Sequence, residues 1–445
     1  MDRLLPDGGL ALASLGEQVL QPGVKGLPLT EPMRQGAIGV QRWNVLRGDT
    51  SYPVALLKES ALLHNLDWMH SFCARHGAVL APHGKTTMCP QLFGAQIANG
   101  AWGMTLATAA QVQVAYRFGV RRVLLANQLV APSDIHAMVA LMKSDPRFEF
   151  MALADSEAGV HRLSQAVVAS RLERPLPLLV ELGLQGKRAG CRTPEQAMAV
   201  ARAIKKAPGV QLAGIEGYEG LLHSHDRHHA VEAVQAFVAQ LVALVREADK
   251  EKLFGGEQIV LSAGGSAYFD LVARGFAGVK GLSRPVLPVL RSGCYLTNDH
   301  GFYQDLTQDV DQREHVSSGL RPALEVWSMV LSRPEPDLAI LSMGKRDASY
   351  DMELPLPLYV HRPGEPGAFG AEEAVDLSPG CRIDKMNDQH AYLRLPEGDP
   401  LCTSLQVGDL IGCGISHPCT TFDKWPLLLV VDDAYTVRYA VNTFF

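Results

Sequence analysis

The sequence predicts an α/β fold: a (β/α)8 TIM-type barrel followed by a smaller all-β domain. Three observations lead there. The chain has 445 residues, more than one hydrophobic core ordinarily organises. Between residues 78 and 290, eight short apolar runs alternate with helical stretches. Beyond about residue 315 helical periodicity fades, and short β-branched segments separated by Pro and Gly take over.

The eight runs begin with Ala78-Val79-Leu80-Ala81, Gly103-Met104-Thr105-Leu106, Val123-Leu124-Leu125-Ala126 and Phe150-Met151-Ala152-Leu153. They continue with Leu178-Leu179-Val180-Glu181, Gln211-Leu212-Ala213-Gly214-Ile215, Ile259-Val260-Leu261-Ser262 and Val286-Leu287-Pro288-Val289-Leu290. Eight parallel strands suit a closed barrel, and an open doubly wound sheet can hold as many. Ahead of them, Val54-Ala55-Leu56-Leu57 reads as a strand and 62–76 as an amphipathic helix ending near Gly77. In the C-terminal part, Ala323-Leu324-Glu325-Val326-Trp327-Ser328 and 427–431 read as strands, and 362–367 as a turn. The expected division is an N-terminal extension over 1–50, a barrel over 51–315 and a β domain over 316–445.

An apolar share of 47%, a charged share of 20% and a net charge of −6 describe a packed globular chain. They disfavour nonspecific binding to nucleic acid or an anionic membrane, which needs clustered positive charge. No uninterrupted apolar window of the length of a membrane span stands out. Acidic residues follow Met1 where a secretory signal would carry positive charge. The eight cysteines include no CxxC pair, which fits a reducing compartment, so a cytoplasmic location is expected.

The first candidate barrel strand runs into Pro82-His83-Gly84-Lys85-Thr86. Loops after barrel strands face the active side, so Lys85 is held at the barrel mouth. A desolvated lysine amine there can form a Schiff base with an aldehyde cofactor. A P-loop is excluded, because the glycine it needs five positions before Gly84 is Val79.

Pro82-His83-Gly84-Lys85-Thr86, preceded by Leu62-Leu63-His64-Asn65, resembles the cofactor-lysine region of the D-serine dehydratase and D-threonine aldolase family. These are relatives of alanine racemase, with a pyridoxal phosphate barrel followed by a β domain. The resemblance extends from about Tyr52 to Trp425. It implies pyridoxal 5′-phosphate on Lys85, with His83 beside it. Glu181-Leu182-Gly183 through Lys187-Arg188-Ala189-Gly190 matches the stretch whose arginine, here Arg188, faces the cofactor's pyridine nitrogen. A guanidinium only donates, so it would leave that nitrogen unprotonated. Tyr218, in Gly217-Tyr218-Glu219-Gly220, matches the family's cofactor tyrosine. The turns Gly264-Gly265-Ser266 and Gly293-Cys294-Tyr295, after the seventh and eighth strands, are the expected phosphate site.

His417 and Cys419, two apart in the β domain, would share one face of a strand and offer imidazole and thiolate to Zn²⁺. By resemblance, His-x-Cys is the dehydratase version of the metal pair and His-x-Asp the aldolase version. Pro418 and 420–425 depart from the usual pattern, which leaves substrate choice open. Asp388-Gln389-His390 occupies the stretch where relatives carry two acids and a histidine. The cluster 223–229, rich in histidine, reads as a helix start with Ser224 or Asp226 as N-cap.

The resemblance thus implies a lyase converting D-serine or a related D-3-hydroxy amino acid to a keto acid and ammonia, in a homodimer. Retro-aldol cleavage to glycine and an aldehyde is the alternative. A non-catalytic pyridoxal phosphate-binding protein is a third reading, which the extra hundred residues after the barrel disfavour.

Overall fold

The computed structural model describes residues 6–224, 226–364 and 374–445. Strand β1 (Val54–Lys58) leads into α1 (Glu59–His76). Gly77 ends that helix in the left-handed conformation, φ +62°, where a residue without Cβ is unstrained. Eight β/α units follow. They are β2 (Val79–Leu80) with α2 (Pro90–Ala98), β3 (Met104–Leu106) with α3 (Ala109–Arg117), and β4 (Arg122–Gln128) with α4 (Pro132–Ser144). Next come β5 (Glu149–Ala154) with α5 (Glu157–Ser170), and β6 (Leu176–Leu182) with α6 (Pro194–Lys206). The last are β7 (Val210–Gly217) with α7 (Arg227–Lys250), β8 (Ile259–Ala263) with α8 (Phe269–Ala277), and β9 (Val286–Leu290) with α9 (Phe302–Glu314).

Local chemistry explains the helix starts. Thr108, Ser156, Thr193 and Asp226 each accept the N–H three residues on, and Pro90, Pro132 and Pro194 open their helices. Helix α7 is long and apolar enough to span a membrane by composition. Here it lays Val234, Phe237, Leu241, Leu244 and Val245 into the core at helical spacing.

All eight expected barrel strands form, paired in parallel in the order β2-β9-β8-β7-β6-β5-β4-β3. The two ends of this row meet. Trp102 N–H donates to Leu80 O at 2.7 Å, Thr105 N–H donates to Pro82 O at 2.9 Å, and His83 bridges Thr105. The sheet is therefore a closed barrel, and the open doubly wound alternative is excluded. Alternate side chains fill it: Leu124, Leu153, Leu179, Val260 and Val289 point inward, while Leu178 and Val180 pack toward the helices.

The second sheet is built on β10 (Leu324–Glu335) and β11 (Leu338–Leu341). It continues with β12 (Leu356–His361), β13 (Val375–Asp376), β14 (Arg382–Met386) and β15 (Ala391–Arg394). Strands β16 (Leu410–Gly414), β17 (Leu427–Val431) and β18 (Val437–Asn442) complete it. Gly412 is required where β16 pairs antiparallel with β10, because a Cβ there would sit 2.6 Å from the buried Trp327 indole. Of the expected turn at 362–367, residues 365–367 lie outside the described residues.

The stretch 51–315 is not all barrel. Strand β1 runs antiparallel to β10 and parallel to β17, inside the second sheet. The reason is burial: Val54, Ala55, Leu56 and Leu57 are all inside, and only a strand with neighbours on both edges satisfies such a backbone. The residues before it join the same core. Leu20, Leu27, Ile38 and Val45 pack with Trp327 and Leu429. Gln35 Nε2 donates to Asn442 Oδ1 at 2.7 Å, tying the N-terminal segment to β18.

Candidate active site

A cavity of about 350 Å³ opens at the C-terminal ends of the barrel strands, against the β domain. Lys85 projects into it from the one-turn 3-10 helix Gly84–Thr86 that follows β2. Gly84 makes that turn possible, since a Cβ there would press to 2.9 Å on Leu106 and Phe93. Lys85 is half-buried, and among the described residues its ammonium has no hydrogen-bond or ion-pair partner. His83 lines the same wall. Burial, with the charges of Lys85 and Arg291, holds its imidazole well below the usual range, so it is neutral.

Two ionisable residues, Arg291 and Glu216, stand at strand ends beneath. Arg291, just after β9, is 7% exposed and donates through Nη2 to Glu216 Oε2 at 2.6 Å and to Gly217 O at 2.8 Å. Burial pushes the Glu216 carboxyl up to about 8 despite Arg291, so at neutral pH it holds its proton much of the time. The contact has ion-pair geometry, yet it acts as a hydrogen bond from a cation to a largely neutral acid. His83 Nδ1, Arg291 Nε and Glu216 Oε1 are buried and have no partner among the described residues. Unpaired buried polar atoms around one cavity are costly unless a ligand meets them.

Tyr218 follows β7, with the Arg188 guanidinium 5.4 Å from its ring centroid at the cavity rim. Burial pushes the phenol up to about 12, keeping it protonated. Its ring fits only because Gly220 and Gly265 lack side chains. A Cβ on Gly220 or Gly265 would lie 2.6 or 2.7 Å from it. The next residue, Glu219, is buried and accepts the N–H of Gly264 at 3.0 Å and of Gly265 at 2.6 Å. Ser266 and Gly293 line the cavity beside this turn, and Ser266 Oγ accepts the Cys294 N–H at 3.1 Å.

The β domain supplies the opposite wall. His417 sits in a left-handed turn, φ +74°, and its N–H donates to Asp299 Oδ2 at 2.9 Å. Its Nδ1 lies 2.6 Å from Asp351 Oδ2, and Thr420 Oγ1 donates to Asp351 Oδ1 at 2.6 Å. Burial opposes charge on His417, but Cys419 and Asp351 push it up to about 9. Cys419 opens the short helix Cys419–Phe422, with its Sγ 3.6 Å from Cys294 Sγ and 3.4 Å from Thr86 Oγ1. The Cys294 contact and His417 hold the Cys419 thiol well below its usual range against burial. Among the described residues, no three His, Cys, Asp or Glu side chains are grouped to hold a metal ion. His417 and Cys419 therefore stand as a two-residue set.

Comparison with known proteins agrees with this architecture. An alanine racemase N-terminal domain matches residues 57–271 and a serine dehydratase domain matches 323–431. In both domains the chain is similar to the D-serine dehydratase and D-threonine aldolase family. This is a family of fold type III pyridoxal phosphate enzymes. Curated relatives include a D-threonine aldolase from Arthrobacter, 24% identical over 93% of this chain and 95% of that protein. A 3-hydroxy-D-aspartate aldolase of Paracoccus denitrificans is 25% identical over 79% and 86%. Among solved structures, a D-threonine aldolase from Filomicrobium marinum superposes with TM-score 0.71 at 22% identity, covering 89% and 95%. A D-threo-3-hydroxyaspartate dehydratase from Delftia gives 0.68 at 20%, covering 88% and 97%.

Within this family frame, most expected residues converge on the cavity. Lys85, His83, Arg188, Tyr218, Gly265, Ser266, Gly293, Cys294, His417 and Cys419 all line it. Four expectations change. Tyr295 is turned away, its OH accepting from Gln96 Nε2 at 3.3 Å, because successive side chains on a 3-10 turn diverge and Cys294 takes the inward place. The N–H groups of Gly264 and Gly265, expected to meet phosphate, are already paired with Glu219. His417 and Cys419 meet across a left-handed turn rather than along a strand, since β16 ends at Gly414. Asp388 and His390 lie on an exposed turn between β14 and β15, away from the cavity. At the histidine-rich stretch Asp226 does cap α7, and His225 lies outside the described residues. Arg291, Glu216, Glu219, Thr86 and Asp351 were not singled out from sequence. For Arg291 and Glu216 a signal existed: each is a charged residue ending an apolar barrel strand.

Proposed function

We propose that this chain is a pyridoxal 5′-phosphate-dependent lyase that removes water from D-serine or a related D-3-hydroxy amino acid, giving a keto acid and ammonia. The observation that carries this reading is the Lys85 amine at the barrel mouth, without a partner among the described residues. The residues present fit the cofactor. Lys85 would hold its aldehyde carbon covalently, and the Ser266 and Gly293 turns would receive its phosphate. Tyr218 and Arg188 would flank its ring, and unpaired atoms of His83, Arg291 and Glu216 await polar partners. When bound, the cofactor supplies an electron sink for the pair left on the substrate Cα.

Lys85, projecting into the cavity, would be placed to take the Cα proton as general base. His83, held neutral, adds no competing positive charge beside it. His417 and Cys419 fit a Zn²⁺: imidazole and thiolate are the donors zinc prefers, Asp351 orients the ring in the manner of a carboxylate–histidine pair, and two protein ligands leave positions for substrate. His417 and Cys419 would hold the ion, and it would supply Lewis-acid stabilisation to a departing hydroxide. Support comes from the matching serine dehydratase domain, and by resemblance from cysteine rather than aspartate at position 419.

Retro-aldol cleavage is the second reading, favoured by the names of the curated relatives. The test is direct. Holoenzyme is given D-serine, D-threonine and D-threo-3-hydroxyaspartate, with and without Zn²⁺, and keto acid is measured against glycine. Glycine as the sole amino acid product would replace dehydration by the aldolase reading. Borohydride reduction and peptide mapping should place the cofactor on Lys85, and an unmodified Lys85 in loaded protein ends both readings. Cytoplasmic location and a homodimer, carried over from the sequence reading, complete the proposal, and light scattering checks the dimer.

A further inference from the structure

We propose that Cys294 and Cys419 form a peroxide-oxidisable dithiol across the two domains, closing reversibly to a disulfide. Their sulfurs are 3.6 Å apart although the residues are 125 positions apart in the chain. A disulfide bond of about 2.05 Å needs them to close by about 1.6 Å. Both thiols are free and both face the active-site cavity, which gives a small hydroperoxide its route. Cys419 is the more exposed residue of the two and Cys294 is buried, so Cys419 is assigned the first attack and Cys294 the resolving one.

The chemistry balances. The Cys419 sulfur attacks one oxygen of hydrogen peroxide, an S–O bond forms, the O–O bond breaks and one water leaves. Cys294 then attacks the sulfenic sulfur, the S–S bond forms, the S–O bond breaks and a second water leaves. The two cysteines together lose two electrons and two protons, and peroxide becomes two waters.

The geometry gives this bond consequences. Cys294 belongs to the turn after β9, and Cys419 to the β domain wall. Thr86, the neighbour of Lys85, has its hydroxyl 3.4 Å from one sulfur and 3.7 Å from the other, so closure disturbs the lysine turn. It also removes the Cys419 sulfur from a metal. The effect on turnover rests on the function proposed above, and the bond itself does not.

Reduced protein carrying its organic cofactor but stripped of metal, and freed of reductant, is treated with a few equivalents of hydrogen peroxide and mapped by mass spectrometry without reduction. The expected product is a linked peptide pair containing Cys294 and Cys419, two hydrogens lighter than its parts and released by dithiothreitol. Cys294→Ser should lose the link and let Cys419 proceed to sulfinic acid, which dithiothreitol does not reverse. Oxidation ending on Cys419 alone in the unmodified chain, or a link only elsewhere such as Cys381 to Cys402, overturns the proposal. Zn²⁺ added beforehand should slow the link. If the link forms at the same rate with zinc, the dithiol stands and the metal reading of Cys419 falls.

Discussion

Removing the Glu219 carboxylate should release the glycine turn at the seventh barrel strand. Glu219 is 0% exposed, and its two oxygens accept the Gly264 and Gly265 N–H groups at 3.0 and 2.6 Å. A buried donor left without acceptor costs about 1–3 kcal/mol. Glu219→Ala orphans both donors, so the turn loses about 2–6 kcal/mol of local stability. Glu219→Gln keeps one carbonyl oxygen and turns an NH₂ toward the other donor, so it loses about half as much. Amide hydrogen exchange reads this directly, because protection scales with the local opening free energy. One donor corresponds to roughly 5- to 150-fold faster exchange. The peptide spanning 262–268 should exchange faster in the order wild type, Glu219→Gln, Glu219→Ala, while a peptide around Gly77 stays unchanged. Unaltered exchange at 262–268 in Glu219→Ala would refute the idea that this carboxylate holds the turn.

Three other outcomes are expected. Lys85→Ala should abolish the borohydride adduct and lower turnover by at least about 10²-fold, the lower bound for losing a general base, and retained turnover excludes the lysine mechanism. Glu216 has a folded value of about 8 against an ordinary 4.5, so it contributes stability that is fully present below the ordinary value and lost as pH rises toward 8. Thermal midpoints of the wild type should therefore fall between about pH 5 and 8, and Glu216→Gln should flatten that slope, a parallel slope counting against the assignment. Gly412→Ala should destabilise by about 1–3 kcal/mol through its clash with Trp327, seen as a lower unfolding midpoint with cofactor content preserved.

Much of the fold is legible in the sequence because its signals are local. The apolar runs, the caps at Thr108, Ser156, Thr193 and Asp226, and the glycine after α1 each act within a few residues. Lys85 was legible too, since a strand end followed by His-Gly-Lys-Thr places an amine at the active face and carries a family pattern. Tyr295 and Cys294 show the limit. Neighbours on one short turn point in different directions, and composition does not say which faces the cavity.

The sequence by itself determined the alternation of eight strands and helices, the position of Lys85 after the first barrel strand and the change of texture after the barrel. Tertiary structure alone decided that the row of strands closes through Leu80–Trp102 and Pro82–Thr105. It also decided that Val54–Lys58 leaves the barrel for the second sheet. Likewise it set Glu219 on the glycine turn, Arg291 on Glu216 and Cys294 against Cys419. Strand periodicity and capping depend on neighbours three or four residues away, whereas these pairings join residues distant along the chain. Their partners are selected by burial and geometry only after the chain has closed on itself.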